Sequence, residues 1–245
     1  MTGPSIRISG TLFSGQTPLI SGLDLMLPGE RWSVLLGQSG VGKTSLLRLI
    51  AGLPCAAHLE GQITCGDGML IAPRVTMMAQ DDQLLPWASA HDNVTICSRL
   101  RGAPVQPNRA AALLAKVGLS GLEHRKPTQM SAGQRQRVAL ARTLYEDRAI
   151  ILLDEPFSAL DAMTRQSVQD LAVNLLANRT VVLITHDPGE AIRLADAAWM
   201  ITPSGSTQCD LPSSAMPRDA AATETLAAQA ALLHQMRGHI SGDAA

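Results

Sequence analysis

The chain has 245 residues, 46% of them apolar, and 20 Lys and Arg against 21 Asp and Glu for a net charge of −1. This is enough for a full core in one large domain, or in a domain with a subdomain. The near-neutral balance argues against a broad nucleic-acid surface, which needs a strongly basic face. The longest apolar runs, such as Ala149 to Leu153 and Val181 to Ile184, are strand-length and far short of a bilayer span. Met1-Thr2-Gly3-Pro4-Ser5 lacks a basic region followed by an apolar core, so a cytoplasmic protein is expected. Cys55, Cys65, Cys97 and Cys209 lack the close pairing of zinc or redox motifs and read as isolated core or surface residues.

Ile6 to Ser9 alternates as a short strand, and Leu23 to Leu27 alternates again before the Pro28-Gly29 turn, which predicts an N-terminal antiparallel sheet. Between them Phe13 precedes the polar turn Ser14-Gly15-Gln16. It reads either as an exposed ring that could stack on a purine or as a core residue.

Val34 to Leu36 has the pattern of a buried strand and Ser45 to Ala51 that of a leucine-rich helix. The stretch joining them, Gly37-Gln38-Ser39-Gly40-Val41-Gly42-Lys43-Thr44, reads as a phosphate cradle. Glycines at 37, 40 and 42 let backbone N–H groups turn inward around an anion. Lys43 then reaches the β- and γ-phosphates, Thr44 offers its hydroxyl to Mg²⁺, and the helix N-terminus adds partial positive charge. The chain carries 17 arginines and three lysines. A lysine stands where a slim point charge must enter the phosphate cage.

Glu60 to Arg74, punctuated by Gly61, Gly66, Gly68 and Pro73, predicts a strand with turns, and Val75 to Ala79 a second strand ending at Gln80. From Asp81 to Met130 the periods become helical, broken by Pro86, Gly102, Pro104, Pro107 and Pro127, which predicts an inserted helical subdomain. Its opening, Gln83-Leu84-Leu85-Pro86-Trp87, is either an exposed docking surface or a small core. Leu113, Leu114 and Val117 give a helical face closed by Gly118.

In Met130-Ser131-Ala132-Gly133-Gln134 the serine and glutamine form a capping box, so a helix starts there and runs through Val138, Leu140, Ala141 and Leu144. Its N-terminal N–H groups offer a second anion site. Ala149 to Leu153 is the continuous apolar run of a central parallel strand and delivers Asp154-Glu155 at the strand end where open α/β sheets bind ligands. Two adjacent acids there are costly unless they meet a cation or do chemistry. Asp154 suits a Mg²⁺ shell and Glu155 a proton taken from attacking water. Ser158 to Asp161 is expected to start a helix through Leu171 and Leu175. Thr180 to Thr185 is another buried strand, ending at His186, and Ala197 to Ile201 a last short one. Beyond Pro212, Leu226, Leu233, Met236 and Ile240 fall on one face of an expected C-terminal helix within 213–245.

With these pieces in order, the chain resembles the ATP-binding cassette (ABC) family over residues 5–212. The Walker A loop stands at 37–44, a Gln-loop residue at Gln80, a signature-like stretch at 130–134, Walker B at 150–155, a D-loop at 158–161 and a switch histidine at His186. The resemblance implies an α/β fold: a P-loop NTPase core with a mixed, mainly parallel sheet, an N-terminal antiparallel β-subdomain and a helical subdomain at about 81–130. It implies ATP hydrolysis with Mg²⁺. Gly37, Gln38, Ser39, Gly40, Val41, Gly42, Lys43, Thr44 and Ser45 would hold the nucleotide, and Phe13 would stack on adenine. Thr44, Gln80 and Asp154 would serve the metal. Glu155 would polarise water with Gln80, Lys43 and His186 as the other catalytic residues. Ser131, Ala132, Gly133, Gln134 and Asp161 would act across a dimer, where the signature of one subunit caps ATP on the other. Ala132 departs from the usual glycine and would slow turnover if that position needs positive φ.

The stretch Gln80 to Trp87 looks like that of bacterial importers of the nitrate, sulfonate and taurine group. This implies a second cassette subunit as homodimer partner, an integral membrane permease touching Leu84, Leu85, Pro86 and Trp87, an external substrate-binding protein, no nucleic acid, and a place on the cytoplasmic face of the inner membrane. The competing readings are a soluble cassette ATPase of translation or DNA repair, and a small-molecule kinase or GTPase. The first of these usually carries tandem cassettes or a long coiled-coil insertion. The second lacks an Asn-Lys-x-Asp motif to support it and leaves the signature unexplained.

Overall fold

The computed structural model describes residues 2–242, with side chains as far as Gly238. In chain order its first elements are β1 (Ile6–Ser14), β2 (Thr17–Leu27), β3 (Trp32–Gly37), α1 (Lys43–Ile50), β4 (Ala57–Cys65) and β5 (Val75–Met78). There follow α2 (Ala90–Leu100), α3 (Pro107–Lys116), α4 (Ala132–Tyr145), β6 (Ile150–Asp154) and α5 (Ala162–Leu175). The chain continues with β7 (Thr180–Ile184), α6 (Pro188–Leu194), β8 (Ala197–Thr202), β9 (Gly205–Cys209) and α7 (Thr223–Gly242). The architecture is α/β, with a mixed, mainly parallel sheet and a separate antiparallel one. It divides into two compact units, one of Met1–Val75, Ala149–Asp154 and Ala177–Ala245, the other of Thr76–Arg148 and Glu155–Leu176.

In the first unit β1 lies between β2 and β4 in an antiparallel sheet. β1 and β2 both run longer than the short alternating stretches predict, because cross-strand pairing carries them through residues whose own pattern is irregular, Gly10 of β1 among them. The second sheet of this unit runs β6-β7-β3-β8-β9, parallel except for the hairpin of β8 and β9. Every residue of β3, β6 and β7 is buried. Each fully buried Val, Leu or Ile side chain there contributes roughly 1.5–3 kcal/mol, which is why these runs are apolar without alternation. Parallel order puts the ends of β3, β6 and β7 at one edge, with Asp154 opposite Ile184 and Ile184 opposite Leu35.

The C-terminal helix corrects one expectation. Thr225 and Leu232 are its buried residues, while Leu226 is 52% and Leu233 38% exposed. The buried stripe is therefore shifted by one residue from the predicted face, and Ile240 lies outside the described side chains. An alanine-rich helix has a weak apolar stripe of its own, so its partner selects the face. That partner is α6, whose Gly189 lies under Gln229. Arg218 fastens the approach to α7, donating to the carbonyls of Ile192 at 2.6 Å, Ala195 at 2.8 Å and Pro212 at 2.8 Å.

In the second unit α2, α3 and α4 pack on one another. Ser89 caps α2, and Gly118, in the left-handed region at φ 72°, follows α3 as the sequence predicts. The Leu84 to Trp87 knot divides: Leu84 is buried, whereas Trp87 is 69% exposed. α5 begins at Ala162, with Asp161 as its cap, later than expected. The turn at Ser158–Leu160 stays non-helical because Gln136 occupies its polar groups: its amide donates to Ser158 Oγ at 3.3 Å and accepts from the Ala159 N–H at 3.0 Å. No helix among the described residues is long and apolar enough to cross a membrane.

Candidate active site

The first unit holds a phosphate-shaped loop. Gly37 ends β3 at φ 148°, and a Cβ there would sit 2.3 Å from the Ile201 carbonyl oxygen, so only glycine lets β3 turn out of the sheet. Gly42, at φ 112°, caps α1 directly before Lys43. Lys43 is only 7% exposed, and its ammonium donates to the carbonyls of Gly37 and Gln38, both at 2.8 Å. A buried cation inside a curl of backbone at a helix N-terminus is suited to phosphate oxygens. Gly40, at φ 83°, has open space where a side chain would project, so the loop presents bare backbone on that side. Thr44 and Gln38 are exposed.

Around the same sheet edge stand two more expected residues. Asp154 ends β6 and is 1% exposed. His186 follows β7 and is exposed, on a turn fixed from beneath: Thr185 donates to buried Glu190 at 2.6 Å and accepts from the Asp187 N–H at 3.1 Å. Asp187 in turn caps α6 through the Gly189 N–H at 2.7 Å. Thr44 and Asp154 supply a hydroxyl and a carboxylate, hard oxygen donors of the kind Mg²⁺ takes alongside phosphate and water.

Phe13 is half-buried, and its ring stacks on His58, with centroids 5.4 Å apart and planes at 14°. His58 is a member of this region that sequence reasoning missed. The signal was pairing register: Phe13 of β1 and His58 of β4 are direct cross-strand partners, which no local pattern reveals.

In the second unit Gln80 and Glu155 meet, the Gln80 amide donating to the Glu155 carboxylate at 3.4 Å. Glu155 has φ 47°, a left-handed conformation that costs a non-glycine residue about 1–2 kcal/mol. Its carbonyl offsets this by accepting from Gln136 at 3.2 Å and from the Ser158 hydroxyl at 3.0 Å.

The start of α4 carries the predicted capping box: Ser131 Oγ accepts from the Gln134 N–H at 3.2 Å, and the Gln134 side chain accepts from the Ser131 N–H at 3.0 Å. Ala132 is the first residue of this helix and is not among the positive-φ residues, so its methyl adds no backbone strain. Gly133 is the position where size matters, since a Cβ would lie 3.2 Å from the Ala159 carbonyl oxygen. Asp161 accepts from the Thr164 N–H at 3.0 Å, and this bond, first among its causes, holds its carboxyl below the usual carboxylate range. Among the described residues no group of three or more His, Cys, Asp or Glu could hold a metal ion, and the four cysteines are free.

The described residues thus include a buried lysine in a glycine-turned loop, an acid at the end of another buried strand of the same sheet, and a capped helix bearing Ser-Ala-Gly-Gln. The family profile described as ABC transporter matches residues 20–158. The chain belongs to the ABC transporter family. It is 43% identical over 216 residues to an uncharacterized ABC transporter ATP-binding protein of Haemophilus influenzae, covering 86% of this chain and 87% of that one. An aliphatic sulfonates import ATP-binding protein of Rhodococcus jostii is 46% identical over 195 residues, 78% of this chain and 76% of the relative. Among solved structures, a dimeric ATP-binding cassette in a post-hydrolysis state with ADP and Pi superposes with a TM-score of 0.72 at 25% identity, covering 83% of this chain and 98% of the other. This cassette is thus an ATP-binding and ATP-hydrolysing subunit of the transporter type.

Proposed function

We propose that the protein powers an importer of small organic anions of the sulfonate class, working as a homodimer on the cytoplasmic face of the inner membrane against an integral permease fed by an external binding protein. The observation that carries the ATPase half is Lys43, a buried ammonium held by the curl of its own glycine loop. Sequence identity to a sulfonate importer's subunit supports the substrate class.

In this reading the loop from Gly37 to Ser45 binds the phosphates, Phe13 supports the adenine, and Thr44, Asp154 and Gln80 serve Mg²⁺, which when bound neutralises charge on the β- and γ-phosphates. Glu155 accepts a proton from the attacking water, oriented by Gln80, and His186 steadies the γ-phosphate. Asp154 and Glu155 are consecutive, so a peptide bond fixes the base beside the metal ligand. Ser131 to Gln134 of one copy caps the nucleotide of the other, with Asp161 at the crossing. The exposed pair Pro86 and Trp87, rather than buried Leu84, is offered to the permease.

Affinity capture of the tagged chain from detergent-solubilised membranes tests the transport half. A multi-span permease should copurify, and uptake of an alkanesulfonate should depend on this chain. Recovery of ribosomes or nucleic acid with no membrane protein would replace the importer by a soluble cassette ATPase.

A further inference from the structure

Helix α4 begins at the proposed phosphate-capping turn and, on adjacent side chains, holds the loops that carry Gln80 and Glu155. We propose that Arg135 is a positioning residue that couples anion engagement at Ser131–Gln134 to the Gln80–Glu155 pair. This rests on the ATPase reading of those residues.

The geometry is a closed circuit within one compact unit. The Arg135 guanidinium donates to the Met130 carbonyl at 3.1 Å, directly before the helix cap, and to the Asp82 carboxylate at 2.8 Å, two residues after Gln80. One rigid planar group therefore touches both the signature turn and the Gln80 loop, and a shift at one end is felt at the other. The second oxygen of Asp82 accepts from the Leu84 N–H at 3.1 Å, so the carboxylate is fixed in its own loop. Two helical turns beyond Arg135, on the same face, Arg142 donates to the carbonyls of Asp82 at 2.7 Å and Gln83 at 2.9 Å. Gln83 is held there at φ 47°. Nothing regular spans the chain between β5 and α2, so these polar contacts set where Gln80 stands.

The other flank of α4 holds the base. Gln136, 5% exposed and next to Arg135, donates to the Glu155 carbonyl at 3.2 Å and engages Ser158 and Ala159. Gln80 and Glu155 then close the ring at 3.4 Å, the long end of a hydrogen bond. A displacement of a few tenths of an ångström decides whether that bond is made, and Arg135 is the member that ties it to the capping turn.

The test uses the full chain as R135M, R135K, D82A and R135M/D82A, with K43A as the nucleotide-site control. The readouts are kcat, KM, nucleotide affinity and melting temperature. R135M and D82A should each lower kcat about tenfold while nucleotide affinity changes less than twofold, and the double variant should lose no more than the worse single one, as for residues in one network. R135K should recover part of kcat, since an ammonium restores the charge but lacks the planar fork that fixes both acceptors in one geometry. Additive losses, or lowered melting with kcat intact in R135K and D82A, would overturn the coupling. Full turnover by R135M beside an inactive K43A overturns the coupling alone. Turnover that survives K43A overturns the ATPase reading and the coupling with it.

Discussion

In the unit built on β3, β6 and β7, Asp154 and His186 stand at or just past the ends of strands whose every residue is buried, and Lys43 opens the helix that the loop after β3 leads into. In the helical unit Gln80 and Glu155 sit in loops, and what holds them is polar: arginine and glutamine side chains of α4 reaching backbone carbonyls and one carboxylate. Strand ends in a packed core are stiff, because moving them means repacking the core. Loops strapped by hydrogen bonds worth about 0.5–3 kcal/mol each can be reset. The first arrangement suits a site that must bind phosphate the same way each time, and the second suits groups that come into register only at turnover.

If that division holds, substitutions in the helical unit should damage turnover and those at the strand ends should damage binding. Glu155→Gln gives the largest effect: kcat falls by about 10²–10⁴-fold, as for loss of a general base, while equilibrium titration finds ATP affinity retained and sizing with ATP finds the dimer. Lys43→Ala breaks the other side, weakening ATP binding by about two orders of magnitude through loss of a buried charge-assisted contact, read by nucleotide titration. Leu152→Ala strikes the strand that carries Asp154 and should cost about 2–5 kcal/mol in denaturant unfolding. Should it instead lower kcat at full stability, the claim that buried strands act only as scaffold fails.

Smaller effects sharpen the contrast. His58→Ala removes the ring beneath Phe13, and since a stacked aromatic pair contributes about 0.5–1.5 kcal/mol, KM for ATP should rise severalfold with kcat unchanged. Asp161 gives the smallest. Its carboxyl is held below the usual range when folded, so its stabilising cap is complete above the ordinary carboxylate range and fades as pH falls through the lower folded value. Melting temperature followed on acidification should therefore drop less steeply in Asp161→Asn than in the parent.

The strand-end residues were legible because burial on both faces demands unbroken apolar runs, and the residue that ends such a run is conspicuous. The capping box at Ser131 was legible for a similar reason, its spacing being a local rule of helix starts. His58 was hidden by register. The face of α7 was hidden because the helix buries Thr225 and Leu232 while two other leucines, Leu226 and Leu233, stay exposed. Gln136 and Arg135 were hidden because a polar residue inside a helix shows no sign of which distant loop it will reach.

The sequence alone determined the glycine-turned loop, the acid pair at the end of β6 and the helix cap, since each follows from burial or from contacts a few residues apart, whereas α6, and β9 beyond the strand expected to be the last, were not read from it. Tertiary structure alone decided the Phe13–His58 stack, the exposure of Trp87 beside a buried Leu84, and the α4 circuit joining Asp82 to Met130. Those depend on groups as much as 75 residues apart in the chain, as Gln80 and Glu155 are, and only the folded packing brings such groups within hydrogen-bond distance.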